Sequence, residues 1–347
     1  MKIQNFSLAF IVIVLVIYLL YIAQSLFIPL VIAILIWYII LALKDIYAKI
    51  KISSFQLPSQ VAMILSFATF ALLGWIFIGL VNQNIQDVIV AAPAYQSKFQ
   101  TLIQNFTSTL HLENRLTLQS FLEWANLTTI ATTLAGIITT LAGYASIITL
   151  YVLFLLLEYN TFPEKLAFLI PDHKRRENFI LIINKISRDL NTYLKIKTFI
   201  SLITAILCYI ILSVMQVRFA SFWAVLIFVL NFIPNIGSII TVILPVLFSL
   251  VQFDMTYSIL LAILLTSVNF IIGGMLEPRF MGKSLNLSPF VILVSLVVWG
   301  YIWGIVGLFL CVPIMVSINI ILARFPGTRP IAILLSSKGD IDKADNF

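Results

Sequence analysis

Ser221-Phe-Trp-Ala-Val-Leu-Ile-Phe-Val-Leu-Asn-Phe-Ile-Pro-Asn-Ile-Gly237 runs on without a charge to Pro245, and Ser288-Pro-Phe-Val-Ile-Leu-Val-Ser-Leu-Val-Val-Trp-Gly-Tyr-Ile-Trp-Gly304 runs on in the same way to Pro313. In both, a serine opens an apolar run and a glycine lies 16 positions later (221 to 237, 288 to 304), followed by a second apolar run and a proline. Identity between the two is low, so the shared pattern of breaks carries the argument. Hydrophobic segments interrupted by Gly or Pro at matching positions of two halves point to the binding site of a membrane transporter. Two apolar runs around a Gly/Pro turn are also the plan of an ordinary helical hairpin, and the sequence leaves both readings open.

Composition says where such segments must reside. Hydrophobic residues fill 61% of the 347 positions and charged residues 10%, and mean hydropathy is +1.10. A soluble domain is nearer to about 45–50% apolar and about 25% charged, so an integral membrane protein is expected. No Lys, Arg, Asp or Glu occurs in 3–43, 52–86, 124–157 or 284–323. A helix needs about 20 apolar residues to cross the hydrocarbon, which predicts spans near 6–24, 27–43, 59–81 and 132–157. Further hydrophobic segments lie at 198–216, 219–233, 236–252, 255–276 and 289–322. Lipid offers no partners to open strand edges, so helices are the default, and the alternation of a membrane barrel is absent. The apolar N-terminus has one lysine, an overlong core and no convincing cleavage site, and reads as a retained first helix. The expected fold is all-α, a polytopic membrane protein of about seven or eight transmembrane helices.

The net charge of +7 does not imply nucleic acid, because the positive charges border the spans as topology requires. Lys44, Lys49 and Lys51 follow the second span, eight basic residues from Lys165 to Lys197 fill 158–197, and Arg324, Arg329, Lys338 and Lys343 end the chain. These place both termini and the three basic regions in the cytoplasm, with 82–130 outside. From Thr198 one helix then crosses outward, the segment 219–252 goes in and returns, 255–276 crosses inward, and the second broken segment starts and ends inside. Each unit of helix plus hairpin makes an odd net number of crossings, so two in tandem form an inverted-topology repeat. The limbs 219–232 and 289–299 reach about 16–21 Å at about 1.5 Å per residue, short of a core of about 30 Å. Re-entrant hairpins are therefore expected.

This gives a domain plan: three spans in 1–81, an extracytoplasmic amphipathic insertion at 82–130, a fourth span at 131–157, a cytoplasmic segment at 158–197, a transport core at 198–323 and a tail at 324–347. In 85–110, Ile85, Val88, Ile89, Ala92, Tyr95, Phe99, Leu102, Ile103, Phe106 and Leu110 recur at helical steps, with an interruption expected near Pro93. Phe179, Ile182, Ile183, Ile186, Leu190, Tyr193 and Leu194 do the same beside Lys185, Arg188 and Lys195, which suits either an interfacial helix on anionic lipid or a connecting helix packed on the membrane domain.

An enzyme finds no support. The chain has no His-Glu-x-x-His, no Gly-x-Ser-x-Gly and no Gly-rich phosphate loop. Cys208 and Cys311 lie in apolar segments, and His111 and His173 have no Cys or His neighbours, so neither a metal nor another cofactor is expected. With no nucleotide site, transport would be passive or driven by an ion gradient.

Ionisable residues at membrane depth mark ion and proton pathways, and here they are few. Glu277 and Arg279 bracket Pro278 in Gly273-Gly-Met-Leu-Glu-Pro-Arg-Phe-Met-Gly-Lys283. Gly273 and Gly274 allow close helix packing, and Pro278 disfavours helical geometry at Glu277, helping to end the helix there. Glu277 and Arg279 are candidates for coupling or gating, with a solvated pair at a helix terminus as the alternative. Asn231, Pro234, Asn235, Gly237 and Ser238 at one hairpin tip, and Trp299, Gly300, Trp303 and Gly304 at the other, are the candidates for the substrate path. Thr241 and Asn269 add neutral polar groups that would bind a solute or join helices, while Trp299, Tyr301 and Trp303 suit either stacking on a solute or an interface. Pro245, Asn269, Gly274, Pro278, Gly282 and Pro313 are read as structural.

Leu230-Asn-Phe-Ile-Pro-Asn-Ile-Gly-Ser238, Leu276-Glu-Pro-Arg-Phe-Met-Gly-Lys283 and Trp299-Gly-Tyr-Ile-Trp-Gly-Ile-Val-Gly307 with Val312-Pro313 resemble the autoinducer-2 exporter family of bacterial membrane proteins. Lys197-Thr-Phe-Ile-Ser-Leu-Ile-Thr204 resembles its autoinducer-2 transporter branch. The motifs cover about 190–325, and the N-terminal 190 residues match in arrangement only. The resemblance implies a multi-spanning plasma-membrane transporter of small molecules, named for export of a quorum-sensing furanone. Other members are assigned sodium(lithium)/proton antiport. It makes Asn231, Pro234, Gly237, Glu277, Pro278, Arg279, Gly282, Gly304 and Pro313 motif positions, and it implies a homo-oligomer, a pentamer among the forms expected. The expected partners are a small-molecule or ion substrate, membrane lipid and further copies of the chain.

The reading that results is a secondary transporter of a small polar solute, an autoinducer-2-like signal, bound near Asn231–Ser238 and Trp299–Gly304. A cation/proton antiporter using Glu277 is the first alternative. A non-transporting scaffold, using 82–130 and 158–197 to hold partners, is the second.

Overall fold

The computed structural model describes residues 3–49, 51–52, 55–110, 127–159, 161–281 and 286–339. It is an all-α polytopic membrane protein. Among the described residues five helices are long and apolar enough to cross a membrane, and three more apolar helices are shorter. Leu8, Ile11, Leu72, Trp75 and Leu157 are all exposed. In water such a surface would be an aggregation liability, whereas in a bilayer it is the face turned to lipid.

The chain divides into two compact units. One holds 1–67, 144–196 and 281–347, and the other holds 68–143 and 197–280.

In the first unit, α1 (Ile3–Ile22) and α2 (Gln24–Lys49) meet at a single residue, Ala23. Its amide bonds to the Leu19 carbonyl and its own carbonyl accepts from Phe27. Two antiparallel helices need a connection of about two to five residues, so the spans expected at 6–24 and 27–43 are joined by a bend and not by a loop. A two-residue antiparallel pairing, β1 (Lys51–Ile52) with β2 (Phe55–Gln56), follows. Further along, α11 (Pro289–Arg324) contains the second broken segment, and a short α12 (Arg329–Leu335) turns back onto it. The amide of Ser288 donates to the Leu335 carbonyl at 2.9 Å, so the entry to the second broken segment is tied to the end of the chain.

Two helices run longer than the sequence led us to expect. α3 (Ser59–Leu110) is one helix of 52 residues with Pro93 inside it, so no interruption separates the third span from the amphipathic segment. A helix that long measures about 78 Å and extends well beyond any bilayer. α4 (Leu127–Glu158) follows, then the short α5 (Phe162–Leu169). α6 (His173–Val214) is a single helix of 42 residues. The basic segment 179–194 is thus the first part of the helix that crosses at 198–214, not a separate helix lying in the membrane plane. Apolar residues on one face through both parts favour an unbroken helix, because no glycine or proline falls between 173 and 214 to end it.

The second unit holds the first broken segment as a helical hairpin: α7 (Ala220–Leu230), five linking residues, and α8 (Ile236–Gln252). Its core is aromatic. Tyr95 of α3 stacks on Phe248 of α8 at 4.0 Å between ring centroids, and Trp223 of α7 meets the same ring edge-on at 5.5 Å. Cys208 and Leu212 of α6 and Leu261 and Leu265 of α9 (Met255–Asn269) are fully buried around them. Cys208 therefore serves as a small core hydrophobe.

The junction between α6 and α7 is strained, with Gln216 at φ 53° and Phe219 at φ 61°. Positive φ is uncommon for residues with a Cβ, and the surroundings hold it in place. The Gln252 side chain donates to the Gln216 carbonyl at 2.8 Å and accepts from the Arg218 amide at 2.9 Å. The Tyr257 hydroxyl donates to the Met215 carbonyl at 2.7 Å. Gln252→Ala removes two of these bonds, at about 1 kcal/mol each. It is expected to lower the unfolding temperature of the detergent-solubilised protein by several degrees in a thermal-shift measurement, more than Gln→Ala at the exposed Gln60.

Candidate functional site

Both broken segments reverse the chain by bringing a glycine against a main-chain carbonyl. At the first tip, α7 ends at Leu230, the chain turns through Asn231-Phe-Ile-Pro-Asn235, and α8 starts at Ile236. A Cβ on Gly237 would overlap the Leu230 carbonyl oxygen. Only a residue without a side chain lets the two limbs close so tightly. Asn235 supplies the turn, with φ 59° and ψ −52°.

The second tip repeats this with one residue more. In a straight helix residues 299 and 307 would lie about 12 Å apart along the axis. Instead a Cβ on Gly307 would overlap the Trp299 carbonyl oxygen, so the chain has folded back. It does so at Gly304, whose φ of 61° and ψ of −141° are non-helical. The equal 16-residue spacing in the sequence paired Gly237 with Gly304, but the two glycines do different work. Gly304 corresponds to Asn235, the residue that turns, and Gly307 corresponds to Gly237, the residue that is packed upon.

The other residues singled out at the second tip are held by packing. Trp299 and Trp303 are buried with centroids 5.1 Å apart, and the Trp303 indole N–H donates to the Leu20 carbonyl at 3.0 Å. A Cβ on Gly300 would press on the Leu308 side chain. Pro313 is buried within α11, as Pro245 is within α8. Tyr301 is 84% exposed on an apolar surface, the position of a lipid-facing residue.

Polar residues converge at the first tip. The Asn231 amide group donates to the Ser201 hydroxyl of α6 at 3.0 Å, with both side chains buried. Ser201 stands one turn after Lys197 and one turn before Thr204, and all three are buried on the same face of α6. The Lys197 ammonium forms an ion pair with the Glu277 carboxylate. The two side chains are 4% and 19% exposed. Glu277 thus pairs with a lysine 80 positions away, while Arg279 is exposed to solvent. Removing one member of a buried pair leaves a bare charge and costs about 3–5 kcal/mol. Ser238, Thr241 and Asn269 are quieter. Each side chain donates to a carbonyl three or four residues back, at Asn235, Ser238 and Leu265.

Glu277 sits at an irregular point of its helix. α9 passes at Asn269 into a π-helical segment, Phe270–Leu276, then into α10 (Glu277–Met281). The helix therefore continues through Pro278, with Glu277 itself helical at φ −55°, ψ −50°, and it does not end there as the proline suggested. The wider turn explains this. The Glu277 amide bonds five residues back to Ile272, leaving room for a proline ring that would clash with an ordinary turn. Such π segments are often found at functional sites. Gly274 packs loosely, near only the Phe270 ring, and nothing lies within 4 Å of where a Cβ on Gly273 would be. The close packing expected at this glycine pair is absent among the described residues. Gly282 lies outside the described residues.

Lys197 and Ser201 are the residues that sequence reading missed. The signal was present: Lys197, Ser201 and Thr204 fall at helical spacing inside an otherwise apolar run.

A helical membrane chain with two glycine-closed hairpins and a buried ion pair beside one tip has the layout of a carrier. The chain belongs to the AI-2E transporter family: the family described as "AI-2E family transporter" matches residues 10–327. It is 30% identical over 297 residues to a protein of Haemophilus influenzae named "Putative transport protein", covering 83% of this chain and 84% of that one. It is 38% identical over 191 residues to the "AI-2 transport protein TqsA" of Escherichia coli, covering 55% of this chain and 54% of that one. A transport protein of the same "Putative" description from Borreliella burgdorferi is 39% identical over 193 residues, 54% of this chain and 52% of its own length. The last two matches span about half of each relative.

Replacing Gly237 or Gly307 with alanine is expected to lower the unfolding temperature by several degrees and to abolish solute flux in liposomes. Gly74→Ala, with no atom within 4 Å of the new methyl, should behave as wild type. Wild-type stability and flux at both hairpin positions would refute the close-packing role.

Proposed function

We propose that the chain is a secondary transporter that exports a small polar signal of the autoinducer-2 type across the bacterial plasma membrane. The observation that carries this is the first hairpin tip, where Asn231 meets Ser201 one turn from a buried ion pair in an apolar layer. Limbs of 11 and 17 residues reach about 16 and 25 Å, which supports a re-entrant hairpin ending inside the membrane. The half-helix ends would then present polar main-chain groups to a solute. The name of the Escherichia coli relative, AI-2 transport protein TqsA, supports autoinducer-2 as the solute to test first. The basic stretch 158–197 and the tail, both rich in Lys and Arg, support a cytoplasmic position for each. The family resemblance supports a homo-oligomer as the assembly.

A second reading, exchange of a monovalent cation for a proton, is favoured by one observation, the Lys197–Glu277 pair. Carriers coupled to ion gradients keep such groups at membrane depth.

Wild-type protein and Glu277→Gln in proteoliposomes separate the two. Under an imposed proton gradient, wild type is expected to move autoinducer-2, and the variant to lose at least tenfold in rate. Sodium or lithium exchange with no autoinducer-2 movement would reject the exporter and establish the second reading.

A further inference from the structure

We propose that the cleft between α3 and the junction of α6 with α7 is a binding site for a small zwitterion with an apolar part, a molecule carrying both an ammonium group and an oxyanion. The site lies within the second unit and is separate from the hairpin tip. Ser201, which meets Asn231, stands well before the end of α6 at Val214, about 20 Å back along the helix. The inference does not depend on what the chain transports.

The cleft is a cavity of about 370 Å³ lined by Gln86, Asp87, Val90 and Ala91 of α3 and by Arg218 and Phe219 of the junction. Small-molecule pockets run from about 300 to 1,000 Å³ and combine apolar walls with a few polar groups, and this cavity fits the lower end of that range. Asp87, Val90 and Ala91 are three and four positions apart and share one strip of α3. Val88 and Tyr95, on the neighbouring strip, are buried in the aromatic core and anchor the helix.

The charges decide the ligand. Asp87 and Arg218 line the same cavity, and neither forms an ion pair among the described residues. The Arg218 guanidinium rests instead over the Phe219 ring, 5.7 Å from its centroid, which holds it at the wall without neutralising it. Two unpaired charges of opposite sign are best answered by a ligand that carries one of each. Its ammonium donates to Asp87, and its oxyanion accepts the paired N–H groups of Arg218. A lone cation or a lone anion would satisfy one charge and leave the other. The Gln86 amide adds a neutral donor and acceptor, and Val90, Ala91 and Phe219 offer surface to an apolar part.

The wall is fixed in advance. Phe219 sits at φ 61°, ψ 33°, uncommon for a residue with a Cβ, and such outliers gather at ligand clamps. Its ring packs edge-on against Tyr95 at 6.4 Å and Phe248 at 5.6 Å. The Arg218 amide donates to the Gln252 side chain at 2.9 Å. A site already held in shape gives up less freedom on binding. The required chemistry occurs free, in a neutral amino acid, and on a phospholipid with an aminoethyl phosphate headgroup.

The test uses the purified full-length protein in detergent. L-leucine is titrated by calorimetry beside 3-methylbutylamine, which lacks the carboxylate, and 4-methylpentanoate, which lacks the ammonium. Wild type is expected to bind leucine about tenfold more tightly than either half. Asp87→Asn and Arg218→Gln should each weaken leucine binding about tenfold, with the unfolding temperature unchanged because both side chains are exposed. Asp87→Asn should also lose the amine and keep the pentanoate, and Arg218→Gln the reverse, whereas a general loss of shape would weaken all three. In a second arm, micelles containing phosphatidylethanolamine are compared with phosphatidylcholine by thermal shift. A rise with the ethanolamine lipid that both variants lose, without leucine binding, would support the site and assign it to the headgroup. The proposal is overturned if neither leucine nor the ethanolamine lipid is preferred over its controls, or if the preference survives in both variants.

Discussion

A helix that breaks inside an apolar layer must find partners for the backbone groups it exposes, and the rest of this structure follows from how that demand is met. Lipid cannot hydrogen-bond them, so the break has to close on itself. At the first tip Gly237 lies against the Leu230 carbonyl, and the amides of Phe232, Ile233 and Gly237 all find carbonyls within the turn. The second tip closes in the same manner with Gly307 on Trp299. Where the contact forms, two short limbs become one unit that can end at any depth. The aromatic packing around Phe248 and the bonds from Gln252 and Tyr257 then hold the other end of the first hairpin firm.

The polar chemistry of the second unit is concentrated on one face of α6. Lys197 reaches Glu277 and Ser201 reaches Asn231, so a single helix face touches both the hairpin tip and the irregular helix that follows it. Each contact is worth little to stability compared with an apolar substitute of the same shape. The π-helical turn before Glu277 lets the helix continue through Pro278.

Much of this was legible in the sequence. Hydropathy and the absence of charge gave the all-α membrane class, and the glycine and proline breaks located both hairpins. Four features were not legible, each for a physical reason. Helix length was underestimated for α3 and α6 because polarity changes along a helix that leaves the membrane, and the change looks like a boundary. Pro278 suggested a helix end because the i−4 clash assumes an ordinary turn, and the π turn removes it. The partner of Glu277 could not be found by local spacing, since Lys197 is 80 positions away. Arg279, which is close in sequence, is exposed. Gly304 and Gly307 were confused because equal spacing in sequence hides one additional residue in a turn.

The central claim is that the first hairpin tip lies on the path of a solute through the membrane. The most direct measurement places a reporter there: Ser238→Cys in a Cys208→Ala, Cys311→Ala background, labelled in oriented vesicles with a membrane-impermeant thiol reagent from each side. The account predicts labelling from both sides, slowed by the transported solute. Labelling from one side only, unchanged by autoinducer-2, sodium or lithium, would contradict it.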